Sequence, residues 1–113
     1  MNITIEALQT YLLDRYGGWA NEQGMFMKLV EEMGEVAEVL NKRAGRKKAD
    51  QEELGAELAD MIHYIVAIAA ISGIDLTDVM LRKDKAASAK YHHNINLETF
   101  LLSGRFCGCP GSE

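Results

Sequence analysis

"KLVEEMGEVAEVL", Lys28–Leu40, has the apolar spacing of an amphipathic helix, yet two of its glutamates fall where leucines belong. With about 100° between successive residues, a wheel centred on Glu32 places Met25, Leu29, Val36, Val39 and Leu40 within roughly 80° of it. Glu32 is therefore inside the apolar stripe and Glu35, one turn on, lies at its edge, whereas Glu31 and Glu38 turn toward water. The pattern recurs downstream. Glu57, Met61, Tyr64, Ile68 and Ile71, most of them apolar, cluster around Asp60. Two helices each aim a carboxylate pair, spaced i and i+3, at a face expected to be dry.

Unpaired carboxylates in a core cost several kcal/mol each or must take up protons. Too few lysines and arginines share these faces to neutralise them. A hard divalent cation resolves the conflict, because Mg²⁺, Mn²⁺ and Ca²⁺ prefer oxygen ligands. The predicted metal ligands are Glu32, Glu35, Glu57 and Asp60. The competing arrangement is a helix rotated to leave its pair in water, or salt bridges across the surface. One acidic pair alone favours that arrangement; two, each placed inside by the same wheel, favour the metal.

Outward from this stretch the chain reads as helix. A first helix fits Ile5 to about Tyr16, with Thr4 as N-cap and the glycines 17–18 as its stop. A second runs from about Glu22, capped by Asn21, to Lys42, with Gly45 as its stop. Asp50 opens a third, with Glu53 three residues on in a capping-box-like arrangement, and Gly73 ends it. Asp75 or Thr77 starts a fourth that extends to about Tyr91. "NLETFLLSG" adds one short turn and "RFCGCPGSE" reads as a frayed tail. No segment alternates with period two over strand length. The expected fold is an all-α, antiparallel four-helix bundle over residues 1–95, followed by a short turn and flexible tail over 96–113.

The 113 residues suffice for one domain with a modest core. A net charge of −5 opposes non-specific nucleic-acid binding. The N-terminus has no basic region or cleavage site of a signal peptide, and "MIHYIVAIAAI" is short for a membrane span, so a cytoplasmic protein is expected. The basic turn "KRAGRKK" lacks interleaved aromatics and reads as a solvated loop. His92, His93, Cys107 and Cys109 do not have the spacing of a zinc site, and free thiols fit the cytoplasm. The third helix is apolar on nearly every side, through Ile62, Ile65, Val66 and Ala69, and a four-helix monomer covers it poorly; homo-oligomerisation is expected. Phe26 and His63 read as helix-packing or interface residues. Trp19, the sole tryptophan, is either a stacking surface for a base or an apolar plug at an interface.

"EEMGE" (Glu31, Glu32, Glu35) followed by "ELAD" (Glu57 to Asp60) resembles the EExxE…ExxD pattern of the all-α nucleoside triphosphate pyrophosphohydrolases. That superfamily includes MazG-like proteins, dimeric dUTPases, dCTP pyrophosphatases and phosphoribosyl-ATP pyrophosphatases. The similarity spans roughly Leu8 to Tyr91, and "GIDLTDVMLRKDK" resembles the MazG-like fourth helix. The resemblance implies Glu32, Glu35, Glu57 and Asp60 as ligands of Mg²⁺, with Mn²⁺ an alternative, and Glu31 as an acid that orients water. It places Tyr64 near the nucleotide. On the fourth helix Lys83, Lys90 and Tyr91 fit the family's pattern, while Ala87 stands in place of its asparagine and His92 in place of its proline.

The implied chemistry is hydrolysis of a (deoxy)nucleoside triphosphate between the α- and β-phosphates, releasing a monophosphate and pyrophosphate. Glu35 or Glu31 would take the proton of the attacking water, and Lys28, Lys83 and Lys90 would hold the phosphates as point charges or else be solvated. Homodimers, or tetramers built from dimers, are implied as well. Two rivals remain: a phosphoribosyl-ATP pyrophosphatase, and a metal-binding helical interaction module without catalysis.

Overall fold

Thr4 adopts an extended conformation and its side chain accepts a hydrogen bond of 3.0 Å from the Ala7 N–H, so the first helix, α1 (Ile5–Tyr16), starts where the threonine satisfies an orphan donor. The computed structural model describes residues 1–44 and 51–104. Gly45, Asp50, most of the basic turn, Cys107 and Cys109 lie outside the described residues. Asn21 caps α2 (Glu22–Ala44) by accepting from Gly24 N–H at 2.7 Å. α3 (Gln51–Ile71) closes in a Schellman motif, in which Ile74 N–H reaches the Ala69 carbonyl and Gly73 N–H that of Ala70. Gly73 sits at φ +68°, where a Cβ is strained. α4 (Leu76–Lys90) follows after Asp75. The described residues contain no strand.

α2 and α3 form an antiparallel hairpin. Glu22 meets Ser72, Glu35 meets Glu57 and Lys42 meets Glu53, so numbers rise along one helix as they fall along the other. α1 packs on α3 as well, making α3 the central helix of a unit that spans Met1–Asp75. Leu12 and Val66 are fully buried there, with Met25, Val39, Ala67, Ala69 and Ala70 beside them. The alanines let neighbouring backbones come close, and each fully buried Leu or Val contributes about 1.5–3 kcal/mol. Leu40, expected in the stripe, is half exposed; at roughly 80° from Glu32 it lies beyond the strip that α3 covers.

α4 and α5 (Leu97–Leu102) belong to a second unit that begins at Leu76. Within the short turn expected at 96–104, residues Leu97–Leu102 form a helix. Asn96 and Thr99 form a reciprocal capping box, and Asp84 on α4 accepts from Leu97 N–H at 2.5 Å. α4 also ends in a Schellman motif, with His92 in the left-handed conformation at φ 58°. Proline cannot take that φ.

α3 is the one helix among the described residues long and apolar enough to cross a bilayer, with a mean hydropathy of 1.6 over 18 residues. The apolar run expected to be too short reaches that length once the whole helix is counted. Two helices pack along it, and Glu57 and Asp60 interrupt it.

Candidate functional site

The hairpin register brings the acidic pairs of α2 and α3 level with each other. Carboxylate oxygens of Glu32, Glu35 and Glu57 lie within 4.8 Å of one another, with Glu32 and Glu57 half-buried and Glu35 exposed. Asp60, one turn on from Glu57, is exposed and stands outside this group of three, although its charge acts on Glu32. Oε2 of Glu32 and Oε2 of Glu57 are buried without any hydrogen-bond partner. A buried acceptor is ordinarily satisfied, and two such oxygens in one acidic cluster suit a divalent cation or a shared proton.

Electrostatics express the same conflict. The Glu57 carboxyl is pushed up to about 7, first by a hydrogen bond shared with Glu35, then by burial and by Glu32. Glu32 is also raised, chiefly by burial and then by Glu35. Burial and crowding thus favour the protonated forms of Glu57 and Glu32 when no cation is bound. The donor set is all carboxylate oxygen, which suits a hard divalent ion and offers nothing to a soft one.

Around the cluster, Lys28 pairs with Glu31 at 3.6 Å, both exposed, so Glu31 faces water beside the group of three. Lys42 bridges the two helices, 3.7 Å from Glu38 and 3.8 Å from Glu53. Exposed pairs of this kind contribute little to stability. Tyr64 is half-buried, and burial, Tyr16, Glu32 and Asp60 raise its pKa against the opposing charge of Lys28. Trp19, 71 % exposed, is fixed in tilt because its indole N–H donates to the Arg15 carbonyl at 3.0 Å. Lys83 and Lys90 are exposed on α4, in the second unit, with Lys90 Nζ 5.4 Å from the Tyr91 ring centre.

One contact was not legible in the sequence. The Tyr16 hydroxyl and His63 Nε2 share a hydrogen bond of 2.7 Å, joining the end of α1 to α3 one turn beyond Asp60. His63 was expected as a helix-packing or interface residue with no named partner; a partner 47 positions away carries no local signal.

A family model described as MazG nucleotide pyrophosphohydrolase domain matches residues 20–93. No curated protein matches the chain, and no solved structure matches it.

Proposed function

The chain belongs to the MazG nucleotide pyrophosphohydrolase domain family, and from that premise we propose that it cleaves a ribo- or deoxyribonucleoside triphosphate between the α- and β-phosphates. The products are the nucleoside monophosphate and pyrophosphate, and the role is clearance of unwanted nucleotides in the cytoplasm. The observation that carries this reading is the pair of buried, partnerless Oε2 atoms on Glu32 and Glu57 inside an all-oxygen cluster. In this reading Glu32, Glu35, Glu57 and Asp60 hold Mg²⁺, or Mn²⁺ in its place. The bound ion supplies positive charge for the phosphate oxygens and lowers the pKa of the attacking water.

The protein's own groups do the rest. Glu32 and Glu57, half-buried and fixed by the hairpin register, form the inner wall of the site. Glu35, exposed beside them, accepts the proton of the attacking water, with Glu31 orienting that water from the next position. Lys28, tethered to Glu31, offers a point charge to the phosphates. Tyr64 and Trp19 face the nucleoside. Phosphoryl chemistry asks chiefly for such positioning and charge neutralisation.

A homodimer, or a dimer of dimers, completes the proposal. Phe26, Val30, Met33 and Leu40 on α2 and Leu58, Ile62 and Ile65 on α3 are 42–53 % exposed at spacings of three, four and seven residues. Apolar seams of that period are covered by helices.

The test is a panel of the eight standard ribo- and deoxyribonucleoside triphosphates and phosphoribosyl-ATP, incubated with Mg²⁺ and assayed for pyrophosphate. Release from at least one triphosphate, abolished in Glu32→Ala and Asp60→Asn, is the expected result. Turnover of phosphoribosyl-ATP alone moves the protein to that branch, and metal binding without turnover makes it a binding module.

A further inference from the structure

Four rings run in an unbroken chain from the α1–α2 connection to the acidic cluster. Trp19 and Tyr16 have centroids 5.7 Å apart at 53°; Tyr16 and His63 meet edge to face at 5.6 Å and 88°; His63 and Tyr64 do so at 5.0 Å and 74°. The two ends differ in character. Trp19 offers an exposed, orientation-fixed indole face, whereas Tyr64 stands in the field of Glu32, Asp60 and Lys28. The middle is closed: Tyr16 is 8 % exposed and His63 is half-buried.

At the centre of this chain lies the Tyr16–His63 hydrogen bond, a polar pair set into the contact between α1 and α3. Net stabilisation from one such bond is small, because both groups give up water to form it. A Phe–Leu pair would fill the same space. What the polar pair adds is direction: a hydroxyl on a ring nitrogen fixes the imidazole about its own axis, and an edge-to-face neighbour follows that ring. Burial, then the charge of Arg15, holds the His63 imidazole below its usual pKa. A neutral ring with one N–H and one lone pair keeps that geometry defined.

We propose that the Tyr16–His63 hydrogen bond is a positioning device for the nucleoside end of the substrate, holding the Trp19 turn and the Tyr64 ring in fixed relation across α1 and α3. Tyr16 and His63 act through Trp19 and Tyr64, leaving the phosphates to the acidic cluster. The inference rests on the functional reading above and adds two residues that neither the acidic motif nor its spacing points to.

The experiment compares the full-length wild type with Tyr16→Phe, His63→Gln, His63→Leu and the Tyr16→Phe/His63→Leu double variant. Each is assayed with Mg²⁺ on the triphosphate that the wild type turns over fastest, and for inhibition by inorganic pyrophosphate, which has no ring to position. Tyr16→Phe and His63→Leu are expected to raise KM about fivefold, the scale of one hydrogen bond, with kcat within about twofold. Pyrophosphate inhibition stays unchanged. The double variant loses no more than either single one, and His63→Gln, which keeps a hydrogen-bonding group, recovers part of the loss. Trp19, the only tryptophan, reports binding directly, so the nucleotide-induced fluorescence change shrinks in Tyr16→Phe.

Unchanged KM in both single variants overturns the inference alone. Equal weakening for pyrophosphate and nucleotide also overturns it, since that is what general loosening of the fold produces. A wild type that releases no pyrophosphate from any triphosphate overturns the functional reading and this inference with it.

Discussion

Among the described residues, the Glu57 carboxyl is displaced furthest from its ordinary pKa. Its folded-state pKa of about 7 stands above the ordinary 4.5, so between those values the folded chain keeps a proton that the unfolded chain releases. The stability this proton contributes is complete below pH 4.5 and is lost as pH rises through about 7. In EDTA, the urea midpoint of the wild type should fall between pH 5 and pH 7.5, and should fall less in Glu57→Gln, which has no proton to lose. Mg²⁺ should restore the wild type at pH 7.5 and leave Glu57→Gln nearly unaffected. The same substitution should raise the melting temperature of the metal-free protein while cutting pyrophosphate release about a hundredfold or more, a loss of function that accompanies a gain in stability. An equal response to Mg²⁺ in both proteins would remove Glu57 from the proposed ligand set. At this scale the helical wheel around Glu32 was readable in the sequence, because i and i+3 neighbours share a face in any helix. The exposed position of Asp60 was not, since it depends on how α3 is rotated against its neighbours.

Helix ends followed local chemistry where that chemistry is unambiguous. Thr4, Asn21 and Gly73 each satisfy or relieve a backbone group within a few residues, and all three ends are legible from sequence for that reason. The end of α4 is different. "YHHN" offers no glycine, and the left-handed position falls to His92 at φ 58°. A Cβ in that region costs about 1 kcal/mol or more, so His92→Gly should raise unfolding stability by about 1 kcal/mol, read from urea midpoints at unchanged slope. A loss of stability instead would mean that the imidazole makes a compensating contact. His92 thus closes the helix at a φ that proline cannot adopt.

The proposed homo-oligomer rests on the apolar seams left open on α2 and α3. A helix as apolar as α3 needs cover on most sides, and α1 and α2 leave Leu58, Ile62 and Ile65 42–52 % exposed. Phe26→Glu and Ile65→Glu, both outside the acidic cluster, should shift the protein from dimer or tetramer to monomer in light scattering at micromolar concentration. Burying a carboxylate against an apolar partner surface is strongly unfavourable. Variants that keep the wild-type mass would show that these seams are not the contact between copies.

By itself the sequence determined the helices, most of their ends and the acidic character of one shared face, because periodicity and capping are properties of residues within a turn or two of each other. Tertiary structure alone decided which carboxylates converge, that Tyr16 reaches His63, and which apolar seams stay open. Those outcomes depend on the register and rotation of one helix against another, set by the packing of side chains far apart in the chain.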